Sequence, residues 1–382
     1  MAEKFPLKKF RTLQTPFYYY DIEILNNTLN LLKKESEKGR YRIHYAVKAN
    51  ANPGLMKLIS SYGIGADCVS WNEIQRALET GFRPEDIVFA GVGKTDVEIE
   101  SALKADIFCF NSESVQELEV TNSIAARLGK YATVALRINP YIKAHTHKHI
   151  TTAIEESKFG ITIPELDDVV QKLSHLDNLR LKGIHFHIGS QITRMSVFKS
   201  LCSRASELRD WFSSRNIDLK LINVGGGLGI DYDNPDKEPA FNEYFSIFRE
   251  MIRLRHDQEL HFEPGRALVG QCGSLITRVL YVKEGGKTRF VIVDAGMTDL
   301  IRPALYQAVH KIQNLSSIGN PGMYDIVGPV CESTDTFGKY IELPETRRGD
   351  FIAIRSAGAY GESMASRYNL RDLPRTVFSD EL

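Results

Sequence analysis

From residue 41 the chain alternates in character. Tyr41, Ile43, Tyr45 and Val47 would share one face, and Arg42, His44, Ala46 and Lys48 the other. A period of two predicts a strand over Tyr41–Ala49. Seven more strand-like runs follow: Ile64–Ser70, Ile87–Gly91, Ile107–Asn111, Thr133–Asn139, Leu181–Gly189, Leu219–Gly225 and Leu260–Gly265. Helical patterns lie between them. Asn72–Thr80 is the clearest, with Ser70 and Glu73 at the spacing of a capping box and Gly81 to stop it. Glu113–Leu128 and Pro164–Leu176 are two others. Eight strand–helix repeats predict an α/β fold of the TIM (β/α)8 barrel type, with a doubly wound sheet as the competitor.

After about residue 267 the pattern changes. Ser274–Lys283, Arg289–Asp294, Tyr324–Pro329, Lys339–Leu343 and Asp350–Ser356 read as strands, with turn signals at Glu284-Gly285-Gly286-Lys287 and Arg348-Gly349-Asp350. The expectation is a barrel over residues 26–266 and a C-terminal all-β domain over 267–382. A length of 382 residues suits two domains.

Lys+Arg and Asp+Glu both number 48, so a neutral chain offers no global attraction for nucleic acid or anionic membrane. No apolar run approaches the length of a membrane span, and the first 16 residues lack the apolar core of a signal peptide. Cys68, Cys109, Cys202, Cys272 and Cys331 are odd in number and widely spaced, which fits reduced thiols and a cytoplasmic setting. The final Ser379-Asp380-Glu381-Leu382 looks like a retention tail. Without a signal peptide it reads as coincidence.

Candidate chemistry sits at the strand exits, where barrel active sites are built. Lys48, after the first strand, is placed to act as an amine nucleophile, the chemistry of a Schiff base to a carbonyl or to pyridoxal phosphate (PLP). A solvated strand-end lysine is the plainer reading. His187 and Ser190 follow the sixth strand, Gly225, Gly226 and Gly227 the seventh, and Glu263, Gly265 and Arg266 the eighth. The glycines fail the dinucleotide fingerprint, because its third glycine would fall at Ile230. They suit a backbone cradle for one phosphate, or else a flexible turn. Glu263 is a buried structural acid or the carboxylate that keeps a pyridine nitrogen protonated, and Arg266 would pair with phosphate or substrate charge. His187 would stack on the ring and Ser190 donate to the phosphate. Cys331 is a small buried hydrophobe or a proton donor. The alternating His145, His147 and His149 suggest either a metal site or, more simply, a solvated or substrate-lining loop.

Taken together, Tyr45-Ala46-Val47-Lys48-Ala49-Asn50, His187-Ile188-Gly189-Ser190, the glycine triplet, Glu263-Pro264-Gly265-Arg266, Cys331-Glu332-Ser333 and Gly358-Ala359-Tyr360-Gly361 resemble the PLP-dependent decarboxylases of fold type III. Asp294-Ala295-Gly296-Met297 through Arg302-Pro303-Ala304-Leu305-Tyr306 resembles the diaminopimelate decarboxylases within that group. Ornithine-type relatives differ there, and typically carry aspartate where this chain has Glu332.

The resemblance implies that residues 1–25 return to the β domain through a strand near Thr15–Tyr20. It implies PLP on Lys48, with Asp67, Arg137, His187, Ser190, the glycines at 225–227, Glu263, Gly265, Arg266 and Tyr360 around the cofactor. It implies decarboxylation of meso-2,6-diaminopimelate to L-lysine. Lys48 or Cys331 would return the proton. Arg266, Arg302, Tyr306, Glu332 and Tyr360 would grip the substrate's distal amino-acid end. It further implies a homodimer whose sites each take Cys331 and Glu332 from the partner subunit. Rival readings are a same-fold decarboxylase of carboxynorspermidine or a basic amino acid, a PLP carrier without turnover, and a barrel that merely binds phosphate.

Overall fold

The computed structural model describes residues 5–39, 41–142, 158–286 and 288–382. His145, His147 and His149 lie outside the described residues. The chain divides into two compact units. One comprises Leu29–Gly229 and Ala240–Gly265; the other comprises Met1–Thr28, Ile230–Pro239 and Arg266–Leu382.

The first strand, β1 (Phe17–Tyr20), belongs to the second unit. The next eight are β2 (Tyr41–Ala46), β3 (Gly65–Cys68), β4 (Ile87–Phe89), β5 (Cys109–Ser112), β6 (Ala132–Arg137), β7 (Leu179–His185), β8 (Leu221–Asn223) and β9 (Glu259–Phe262). They pair in parallel, each with the next in sequence, and β9 returns to β2. Closure excludes the doubly wound alternative. Every residue of β3, β4 and β5 is buried. A parallel barrel covers both faces of its strands, so alternation fades. The same cause buries His44, Tyr45 and Ala46 together at the end of β2. That strand stops three residues short of the predicted end. Val47–Ala49 form a single 3-10 turn, and it carries Lys48.

The helix after β3 spans Trp71–Glu79. Its capping box is half formed. Ser70 Oγ accepts from the Glu73 N–H at 3.2 Å, while the Glu73 carboxylate accepts from Val69 N–H at 2.8 Å instead of from Ser70. Gly81, at φ +95°, ends the turn as expected. The helix predicted from Glu113 begins at Val115, with Ser114 as its N-cap. Glu113 therefore stays at the strand exit.

The second unit is built on an eight-stranded sheet. Its other members are β10 (Gly273–Glu284), β11 (Arg289–Val293), β12 (Ile312–Asn314), β13 (Pro321–Val327), β14 (Thr336–Pro344), β15 (Phe351–Ile354) and β16 (Arg375–Phe378). The spatial order is β12-β15-β10-β11-β13-β14, and β1 lies between β10 and β16. The N-terminal strand thus joins this sheet. Phe10, Phe17, Tyr19, Ile276, Phe351 and Val377 pack into a core on it. β12 and β16 carry no pattern long enough to announce them in the sequence.

Candidate active site

Several barrel strands deliver a polar side chain at or just beyond their C-terminal ends. Lys48 Nζ donates to Asp67 Oδ2 at 2.8 Å, and the lysine side chain stays 32% exposed while Asp67 is fully buried. A buried Asp67 Oδ1 has no partner among the described residues. Burial first, and then the Glu263 charge, raise the Asp67 pKa against the opposing Lys48 ammonium.

Glu263 is the hub of the barrel mouth. Its Oε1 accepts from Asn223 Nδ2 at 2.7 Å and Asn111 Nδ2 at 3.2 Å, and its Oε2 accepts from His185 Nε2 at 3.0 Å. Burial alone would raise its pKa. The charge and hydrogen bond of His185, with the Lys48 charge, outweigh that and hold it well below the usual carboxylate range. Glu263 therefore keeps its charge although it is buried. Burial, aided by the Lys48 and Arg137 charges, keeps His187 well below the ordinary imidazole range, so its ring is neutral.

The glycine triplet packs against backbone. A Cβ at Gly225 would lie 2.2 Å from the Phe186 carbonyl oxygen, one at Gly226 2.1 Å from that of Glu263, and one at Gly227 2.8 Å from that of Gly189. Gly225 and Gly227 also need left-handed φ values of +69° and +101°. Asn223 ties this loop to the hub, because its Oδ1 accepts from Gly225 N–H at 2.9 Å. At Gly265 a Cβ would come to 3.0 Å from those of Ala46 and Ala49, so this glycine lets the strand exit approach the Lys48 turn.

Arg137 is paired within the protein. Its guanidinium donates to Glu113 Oε1 at 2.7 Å in a buried ion pair, and Glu113 also accepts from Gly91 N–H at 3.0 Å and Gly160 N–H at 3.2 Å. Such an arginine fixes loops around the mouth.

A second cluster lies in the other unit. Tyr232 Oη accepts from Arg266 at 2.6 Å and from Arg302 at 2.9 Å. The Arg266 guanidinium stands 4.8 Å over the Tyr360 ring. Arg302 is 5% exposed, and its Nε has no partner among the described residues. Burial foremost lowers the Arg302 pKa. Arg302 and Tyr306 open and close one short helix, Arg302–Tyr306. Cys331 is exposed, whereas the other four cysteines are buried. Glu332 beside it is exposed and accepts from Tyr368 Oη at 2.9 Å.

Pattern reading overlooked His185, Asn111 and Asn223 around Glu263, Glu113 beside Arg137, and Tyr232 between the arginines. The available signal was a polar residue ending a strand-like run, as at Asn111 and at Asn223 before the glycines. Among the described residues no cluster of His, Cys, Asp and Glu suits a metal ion. No described helix is long and apolar enough to cross a membrane.

The profile of the family "Pyridoxal-dependent decarboxylase, pyridoxal binding domain" matches residues 23–270. This chain belongs to that family. It is 56% identical over 381 residues to diaminopimelate decarboxylase of Bacteroides thetaiotaomicron, covering 99% of each chain. It is 41% identical to the Aquifex aeolicus diaminopimelate decarboxylase, covering 94% of this chain and 86% of that one. The crystal structure of Helicobacter pylori diaminopimelate decarboxylase complexed with L-lysine superposes with a TM-score of 0.92 at 40% identity, over 98% of this chain and 94% of that one. Family membership identifies residues 23–270 as a pyridoxal-binding domain.

Proposed function

We propose that this protein removes CO2 from meso-2,6-diaminopimelate to give L-lysine, as its relatives' names and their lysine complexes indicate. The barrel mouth fits PLP on its own chemistry. Lys48 offers an amine for the aldehyde, Glu263 a carboxylate for the ring nitrogen, His187 a neutral ring to stack with Ser190 three residues on, and Gly225–Gly227 a backbone cradle for the phosphate. The observation that carries this reading is Glu263, buried yet held ionised by three donors and the Lys48 charge.

When bound, the cofactor supplies an electron sink for the charge left as CO2 departs. The protein's own residues do the rest. Glu263 holds a proton on the ring nitrogen. Asp67 aims the Lys48 amine, and its raised pKa lets it take a proton when the amine gives one up. His187 and the barrel wall keep water from one face. Arg266 and Arg302, with Tyr306 and Tyr360, bind the carboxylate at the substrate's far end. Lys48 Nζ or Cys331 Sγ returns a proton to the reacting carbon.

The same reading makes the protein a homodimer in which Cys331 and Glu332 of the partner subunit complete each site. The exposure of both residues supports it. A cytoplasmic location goes with it. The division into residues 1–25, 26–266 and 267–382 stands as a functional proposal for which parts bind cofactor.

The test is CO2 release and lysine formation from meso-diaminopimelate with and without PLP, beside ornithine, arginine, lysine and carboxynorspermidine. Lysine formed only with PLP and only from diaminopimelate supports the assignment. Full turnover by Lys48→Ala would overturn the role of the amine. Turnover of a polyamine precursor alone would overturn the substrate.

A further inference from the structure

Arg302 is held from two sides. On one, its Nη1 donates to Tyr232 Oη at 2.9 Å, which also accepts from Arg266 at 2.6 Å. On the other, the same nitrogen lies 2.9 Å from His310 Nε2. The histidine's far nitrogen, Nδ1, lies 2.9 Å from the Arg355 carbonyl oxygen.

These partners fix the tautomer. A carbonyl oxygen only accepts, so Nδ1 carries the proton. A guanidinium only donates, so Nε2 presents its lone pair. His310 is 2% exposed, and its ring meets that of Tyr232 edge-on at 5.1 Å. Burial, with the Arg302 charge, lowers its pKa to about 3, so the lone pair is available throughout the working range.

The fold makes this possible with one left-handed residue. Gln307, at φ +54°, reverses the chain after the helix, and Ala308 N–H donates to Arg302 O at 3.3 Å. His310 thereby returns beside the side chain that opened the helix eight residues earlier. Both described partners of Arg302 are uncharged acceptors. They orient the cation without neutralising it, so its charge stays available to an anion.

We propose that His310 and Tyr232 are positioning residues that aim Arg302 and Arg266 at the substrate's remaining carboxylate, and so set the preference for substrates that carry one. This rests on the assignment of Arg302 to that carboxylate. Distal carboxylate recognition would depend on a neutral imidazole and a phenol that never touch the reacting atoms.

The experiment compares holoenzymes carrying His310→Leu, His310→Gln, Tyr232→Phe and Arg302→Lys. For each, KM and kcat with meso-diaminopimelate are measured, together with L-lysine binding by calorimetry, cadaverine as a ligand without a carboxylate, and the visible absorbance of bound PLP. Losing one hydrogen bond to a charged group corresponds to roughly tenfold or more in affinity. His310→Leu should raise KM and the lysine Kd by that factor, with kcat, cadaverine binding and the PLP band little changed. Tyr232→Phe should act in the same direction. His310→Gln can accept from Arg302 and donate to the Arg355 carbonyl, so it should restore most of the affinity. Unchanged lysine binding in His310→Leu, while Arg302→Lys weakens it, would overturn the positioning role alone. Equal losses for lysine and cadaverine would also overturn it, in favour of a structural role. Unchanged lysine binding in Arg302→Lys would sink the underlying carboxylate assignment.

Discussion

Replacing Glu263 two ways should separate its structural from its electrostatic contribution. In Glu263→Ala, the donors of Asn111, Asn223 and His185 lose their acceptor inside a buried site. Each buried donor left unsatisfied costs about 1–3 kcal/mol, so three cost about 3–9 kcal/mol. A whole domain has only about 5–15 kcal/mol of stability. In Glu263→Gln the amide oxygen can keep both asparagines. Its NH2 then faces His185 Nε2, which must become an acceptor. His185 Nδ1 is buried with no partner among the described residues, so a proton held there breaks no existing bond while Nε2 accepts. Weakening of charge-assisted bonds costs about 1 kcal/mol each, and relief of a buried charge offsets much of that. Glu263→Gln should therefore unfold within about 2 kcal/mol of wild type, while turnover falls roughly 100-fold or more because the pre-aimed charge is gone. Urea unfolding of the cofactor-free proteins, which keeps ligand linkage out, measures the first quantity. Steady-state CO2 release with saturating PLP measures the second. Equal stability losses in the two variants would refute the three-donor hub. Undiminished turnover in Glu263→Gln would refute the need for its charge.

Gly226→Ala would place a methyl 2.1 Å from the Glu263 carbonyl oxygen, so the backbone must shift. PLP titration should show affinity weakened at least about tenfold, and wild-type affinity would refute the cradle. Glu73 has its pKa raised from 4.5 to about 7, chiefly by burial, so the native state binds that proton more tightly than the unfolded chain does. Glu73 therefore subtracts stability as pH rises from about 4.5 to about 7, and Glu73→Gln should gain on wild type across that window. Melting temperatures at both ends decide it, and a variant-minus-wild-type difference that falls as pH rises contradicts the assignment. Cys331→Ser, at an exposed position, should leave stability within about 0.5 kcal/mol while lowering kcat. An unaltered kcat would remove the thiol from proton return.

Much of the fold was legible because barrel and sheet rest on local signals. Eight apolar runs separated by helical patterns could be counted without knowing how they closed, and the glycine triplet marked a turn after the seventh run. Strand ends were legible only roughly. Hydrogen bonding ends β2 at Ala46, and the apolar run beyond it forms the turn that carries Lys48. Short strands such as β12 and β16 depend on neighbours far away in sequence, and period-two reading needs more residues than they have.

The sequence by itself determined which residues stand at strand exits, because period and turn chemistry are properties of adjacent residues. It also determined the family through motifs that run nearly the length of the chain. Tertiary structure decided the partners. Glu263 meets Asn111 across 152 positions and Asn223 across 40, and only barrel closure brings three strand ends to one carboxylate. Arg137 meets Glu113, and Tyr232 stands between two arginines, for the same kind of reason. Charge state is decided there too. Whether a buried acid stays ionised or takes a proton depends on the donors and cations that folding places around it, and those distances do not exist in the linear chain.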